Sequence, residues 1–220
     1  MITHETIIKM QCDLNYYTAG AVWKKGVTNK GRQIDWDRCI YMECCEAIDS
    51  LNWKHWKNLE TPDDLSNLRI EVVDVFHFLL SKLIATKGVE ATEVYLKDYL
   101  ISTVENTNIP QSIEKLIELS VTHNDNAIAN LKAFSNILGV IDMSVRELYT
   151  LYVGKNILNK FRQDNGYKTG TYIKNWALAA DKEDVIEDNE VMQRIMGNTS
   201  NPEDIYLKLN NYYNLVKVLK

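Results

Sequence analysis

Four acidic residues form two pairs with one spacing: Glu43 and Glu46 in Glu43-Cys44-Cys45-Glu46, and Glu71 and Asp74 in Glu71-Val72-Val73-Asp74. On a helix, residues three apart project from the same side, so each pair presents its carboxylates together. If the two segments are helices folded back on each other, facing positions have residue numbers with a constant total. Glu43 opposite Asp74 and Glu46 opposite Glu71 share one total, and its midpoint falls between Asn58 and Leu59, inside the break expected between Trp56 and Pro62. All four acids then lie at one level of one hairpin. Carboxylates packed together repel, so either their pKa values rise or a cation binds. Oxygen ligands with no cysteine or histidine pair suit a hard ion such as Mg2+ or Mn2+. Solvated helix faces are the ordinary account of an isolated Glu-x-x-Glu; the second pair and the shared level argue against it here.

The surroundings sharpen the argument. Leu68 to Ile84 reads LRIEVVDVFHFLLSKLI, apolar almost all round, as a buried helix is, with Glu71, Asp74 and Ser81 on one narrow polar stripe. Asp74-x-x-His77 has the outline of the Glu-x-x-His motif of di-iron bundles. The other pair lacks the matching histidine, because position 49 is Asp49. His77 is therefore read as a hydrogen-bonded core histidine or a wall of a ligand pocket. Trp53-Lys54-His55-Trp56-Lys57 is expected to continue the helix of Glu46. Trp53 serves equally as core filler, whereas Trp56, next to the turn, is expected against a ligand base, where stacking contributes about 1–3 kcal/mol.

A second cluster supplies opposite charge. Lys155 to Lys174 reads KNILNKFRQDNGYKTGTYIK and sets Lys155, Lys160, Arg162, Lys168 and Lys174 against Asp164 alone. Lys155, Asn159 and Arg162 share one helix face, and the Gly166–Gly170 loop adds Tyr167 and Lys168. Fixed donors of this kind suit a polyphosphate, with arginine supplying a planar fork. The alternative is a solvated basic face near a helix C-terminus, which the helix dipole favours. An acidic metal hairpin beside a basic, amide-rich face is the division of labour of phosphoryl chemistry.

These groups must be held by helices. Three prolines and nine glycines punctuate 220 residues, of which 45% are hydrophobic and 25% charged, and helical periodicity dominates. Helices are expected near 3–18, 36–57, 62–86, 90–104, 111–135, 142–165, 183–196 and 203–219, with a turn able to split 121–140, loops at 22–33 and 165–170, and no strand. Thr61-Pro62-Asp63-Asp64, Asn201-Pro202-Glu203-Asp204 and Asp35-Trp36-Asp37 read as helix starts, and Ser144 with Glu147 as a capping box. The expected fold is all-α: one domain over 1–220, a helical bundle built around an antiparallel helix hairpin carrying ExxE and ExxD. The formal charge of −5 argues against a general nucleic-acid binder. No run is long and apolar enough for a membrane span, and Met1 to Gln11 does not read as a signal peptide. Cys12, Cys39, Cys44 and Cys45 lack zinc-type spacing, and helical neighbours point about 100° apart; free thiols in a cytoplasmic protein are expected.

The stretches KMQCDLN (9–15), YMECCEAIDSLNWKHWKN (41–58), RIEVVDVFHF (69–78), GKNILNKFRQDNGYKTGTYIKNW (154–176) and EDNE (187–190) resemble the dimeric all-α dUTPases, which belong with the all-α nucleoside triphosphate pyrophosphatases. The 154–176 stretch is far more specific than ExxE; residues 90–140 carry little of the likeness. The resemblance implies Mg2+-dependent hydrolysis of dUTP, and commonly dUDP, to dUMP in a homodimer, with more than one ion per site. It makes Glu43, Glu46, Glu71 and Asp74 the metal ligands. It sets Gln11 and Asn15 on the uracil or sugar and Trp56 against the base. Lys155, Asn159, Arg162, Tyr167 and Lys168 would hold the phosphates, and Asn189 would belong to a segment closing over the site. The expected mechanism is attack by a metal-activated water, with Glu46 accepting its proton and Glu43 the alternative, while closure of segments around 165–190 excludes bulk water. Two rivals stand beside this: a pyrophosphatase of the same superfamily acting on another nucleotide such as dCTP, and a nonenzymatic helical binding or scaffold protein.

Overall fold

The computed structural model describes residues 2–177 and 185–218. Its helices are α1 (His4–Ala19), α2 (Trp36–Asp49), α3 (Leu65–Lys87), α4 (Val89–Tyr99), α5 (Ile109–Val121), α6 (Ala127–Val140), α7 (Val145–Asp164), α8 (Asp188–Met196) and α9 (Pro202–Val218). The fold is all-α, with one small exception. Strands β1 (Asn175–Ala177) and β2 (Val185–Glu187) pair antiparallel, Trp176 opposite Ile186. Strands of three residues are too short for alternation to appear in a sequence, so none was expected there. They also displace the start of the helix expected from 183: α8 begins at Asp188, and residues 183 and 184 lie outside the described residues.

Two compact units divide the chain, Met1–Tyr149 and Thr150–Lys220, and the single domain expected over 1–220 spans both. In the first unit α3 is the centre, packed by α1, α2, α4 and α6. Its all-round apolar sequence explains this: Leu68, Val73, Phe76, Leu79 and Leu80 are fully buried. Each such side chain contributes about 1.5–3 kcal/mol relative to exposure. The buried ammonium inside α3 is matched rather than abandoned. Lys82 Nζ donates to Asp37 Oδ1 at 2.6 Å and to the Asn124 carbonyl at 2.8 Å. The second unit is held by aromatic rings around Phe161, with Trp176, Tyr206 and Tyr213 at centroid distances of 6.2, 5.5 and 5.4 Å.

Most helix starts follow the sequence. Asp35 accepts from the Arg38 N–H, Asn201 from the Glu203 and Asp204 N–H groups, and Ser144 and Glu147 bond reciprocally. Two further segments differ, each because side chains satisfy the backbone in place of helical bonds. The helix expected over 36–57 stops at Asp49: the Asn52 N–H donates to Asp63, and the Asn52 amide donates to the Asn58 and Thr61 carbonyls. That closes a turn, α3 starts at Leu65 with Asp64 as its cap, and Pro62 stands ahead of the helix. The expected 90–104 helix ends at Tyr99, where α6 takes over: Ser135 and Asn136 accept from the N–H groups of Ile101, Glu105 and Asn106. The turn expected as able to split 121–140 is present and divides the 111–135 stretch between α5 and α6, with His123 at φ 49° and Asn126 capping α6. All four cysteines are free. Among the described residues no helix is long and apolar enough to cross a membrane.

Candidate active site

Helices α2 and α3 run antiparallel. Near the connecting turn, Asn67 Nδ2 donates to Ser50 Oγ at 2.8 Å and the Asp64 N–H to the Ser50 carbonyl at 2.8 Å. At the far end lies the Lys82–Asp37 pair. Between these ties, carboxylate oxygens of Glu43, Glu46 and Glu71 lie within 4.8 Å of one another. Glu71, from the buried helix, is 9% exposed, Glu43 and Asp74 are half-buried, and Glu46 is exposed. Asp74 falls outside this trio, although it sits one turn from Glu71 on α3.

The donor set fits a hard divalent ion. Octahedral Mg2+ with bonds of 2.0–2.1 Å needs ligand oxygens about 3–4 Å apart, which a trio of this size meets with small side-chain adjustments. Softer ligands do not compete. Burial, and then the Glu43 charge, push the Cys39 thiol up to about 11, and burial holds Cys44 protonated as well. A second cluster, Asp35, Asp37 and His123, has similar spacing, but there the Lys82 ammonium already occupies Asp37.

Three more expected site residues join one buried network in the first unit. Gln11, Asn15 and His77 are 2, 5 and 4% exposed, and Ser81, the third member of the polar stripe, is 0%. His77 Nδ1 meets Gln11 Oε1 at 2.7 Å; Gln11 Nε2 and Asn15 Nδ2 each donate to Ser81 Oγ at 2.9 Å; Ser81 Oγ donates to the His77 carbonyl at 2.8 Å. Ser81 thus fixes which way two amides point. Its place on the stripe was legible, its role as a hub was not.

The segment 53–57 is a turn, not a continuation of α2. Trp53 is 48% exposed, so it does not fill the core, and Trp56 is 63% exposed. Their rings pack edge to face at 5.7 Å, and His55 stands against Trp56 at 4.9 Å.

In the second unit, the basic face of α7 is not a solvated patch. Lys155 is 2% exposed and donates to Asn189 Oδ1 at 2.7 Å. Arg162 forms two parallel bonds to Asp188, Nε to Oδ2 and Nη2 to Oδ1, both 2.8 Å, with longer bonds to Asn159 Oδ1 at 3.3 Å and Asn189 Oδ1 at 3.2 Å. Tyr172 OH donates to Asp188 Oδ2 at 2.8 Å; burial, and then the Asp188 charge, hold this phenol far above its usual range. Gly154 permits the close approach of α8 to α7, since a Cβ there would stand 2.0 Å from Met196 Sδ. Tyr167 and Lys168 lie on the exposed 3-10 turn after α7, and Lys160 is exposed. Sequence reasoning passed over Asp188 and Tyr172; the EDNE stretch that holds Asp188 was the available signal.

A family model described as dUTPase matches residues 3–167, a span running from α1 through the acid hairpin to the end of α7. The chain matches no curated protein.

Proposed function

The chain belongs to the all-α dUTPase family, and on that footing we propose that it hydrolyses dUTP, and dUDP, to dUMP with Mg2+, more than one ion serving each site. Family membership supports dUTP hydrolysis in general. The observation that carries the finer reading is the convergence of Glu43, Glu46 and Glu71 on one hairpin. In this reading those three, with Asp74 alongside, hold the cations. Bound Mg2+ supplies an acidified water and neutralises charge on the phosphates. Glu46, the exposed member of the trio, takes the water proton, with Glu43 the alternative. The water oxygen bonds to phosphorus as the bridging phosphate oxygen leaves.

Lys155, Asn159, Arg162, Tyr167 and Lys168 are assigned to the phosphates, and Asn189 to the segment that closes over them. Gln11 and Asn15 are assigned to the uracil or sugar, His77 to the wall of the ligand pocket, and the exposed Trp56 ring to the base. A base that mispairs with locked amides leaves buried polar groups unmatched, which is how such a site rejects a competitor. A homodimeric state and a cytoplasmic location belong to the same proposal. The test is turnover of dUTP, dCTP, dTTP and dATP with and without Mg2+. Rapid Mg2+-dependent turnover of dUTP alone upholds it. Preference for another nucleotide replaces the substrate assignment, and no turnover of any removes the enzymatic reading.

A further inference from the structure

We infer that Asp188 is a positioning residue for phosphate binding, its carboxylate fixing the plane and heading of the Arg162 guanidinium. The inference rests on the assignment of Arg162 to the phosphates. Asp188 is the first residue of α8 and is 0% exposed. Its own position is pinned twice, by the Tyr172 hydroxyl on Oδ2 at 2.8 Å and by its backbone N–H on the Lys174 carbonyl at 3.0 Å. Two parallel bonds to the Nε–Nη2 edge of Arg162 leave a planar guanidinium no freedom to rotate. The edge that Asp188 does not grip is the one bearing Nη1.

The neighbouring Asn189 extends the device. Its Oδ1 accepts from both Lys155 Nζ at 2.7 Å and Arg162 Nη2 at 3.2 Å, so the amide oxygen must face the two cations and its NH2 must face away as a donor. One helical turn thereby sets the spacing of two cations and an amide before any ligand arrives. Donors fixed in advance spare a polyphosphate the entropy of ordering them. Asp188 acts through Arg162 and needs no contact with the substrate.

The substitution Asp188→Asn keeps shape and places an NH2 against an arginine N–H, breaking one of the two parallel bonds. The expected result is a KM for dUTP raised about tenfold with kcat changed less than about threefold, the size of effect typical when the support of a site residue is removed. Binding of inorganic tripolyphosphate in the presence of Mg2+, followed by calorimetry, weakens about tenfold as well. A variant that melts earlier but keeps the wild-type KM and tripolyphosphate affinity overturns the inference, because the pair is then structural only. If the wild type turns over no dUTP, the proposed function falls, and the tripolyphosphate titration still judges Asp188. Weaker binding by the variant upholds its role, and equal binding, or none by the wild type, overturns it. Should Asp188→Asn fail to fold, Tyr172→Phe removes one bond from the same carboxylate. A two- to threefold loss of tripolyphosphate affinity then supports the inference, and no loss overturns it.

Discussion

The α2–α3 hairpin and the α7–α8 junction both gather charged side chains at short range, and they do so in opposite ways. On the hairpin three carboxylates of like charge meet within 4.8 Å. At the junction an arginine meets an aspartate through two bonds of 2.8 Å, and a lysine meets an amide oxygen. Like charges held together favour either protonation or a cation, and under the proposed function that cation is Mg2+. Matched charges are already satisfied, so the second cluster is finished before a ligand comes. Under the proposed function the difference separates two tasks, recruiting positive charge and holding positive charge still.

The hardest test of this contrast is removal of divalent cations. Chelation is expected to abolish dUTP turnover, and added Mg2+ to restore it, as followed by release of pyrophosphate; turnover that survives chelation breaks the contrast at its base. Replacing Glu46 by Gln should lower kcat by about 10²–10⁴, the range for loss of a positioned proton acceptor. Because Glu46 is exposed, the same variant should unfold within about 0.5 kcal/mol of the wild type. Near-normal kcat would move the proton-accepting role to Glu43.

The hairpin carries a matched pair of its own, which serves as an internal comparison. The side chains of Lys82 and Asp37 are 5 and 11% exposed, and Lys82→Ala leaves a buried carboxylate without its cation. That should cost about 3–5 kcal/mol in denaturant unfolding. A small loss would show that burial of charge is cheaper on this hairpin than the contrast requires. Lys155→Ala comes next in size. It should raise KM for dUTP about tenfold with a smaller change in kcat, and an unchanged KM would remove Lys155 from the phosphates.

How much of this could be read without coordinates follows from distance along the chain. Helical spacing and hairpin symmetry, which are short-range rules, set four acids at one level, and the oxygens of Glu43, Glu46 and Glu71 do meet, whereas Asp74 falls outside that trio. The all-round apolar run from Leu68 to Ile84 announced the central helix, also by a short-range rule. The end of α2 was not legible, because it depends on what the Asn52 side chain finds at Asn58 and Thr61. Nor was the partner of Arg162, which lies 26 residues on in a helix start preceded by a strand of three residues. The Asp37–Lys82 pair hid in the same way across 45 residues. Local pattern gave elements and faces; pairings between elements needed the fold.

The smallest expected effect provides the baseline against which both clusters are judged. Ser144 and Glu147 form an exposed capping box at the start of α7, with Ser144 Oγ to Glu147 Oε2 at 2.7 Å and the Ser144 N–H to the same oxygen at 2.8 Å. These bonds, the hydroxyl first and the backbone N–H second, hold Glu147 below the usual carboxylate range. A carboxylate depressed on folding adds stability that is fully present above its unfolded value, about 4.3, and that is lost as pH falls through the folded value. Ser144→Ala should therefore cost about 1 kcal/mol at neutral pH, with the difference from wild type narrowing in acid, as measured by urea unfolding at pH 7 and pH 3. A difference that stays constant with pH would assign the cap to the hydroxyl alone. An ordinary exposed carboxylate would then gain nothing from its neighbours, and the gathering of three on the hairpin would stand out further from the background.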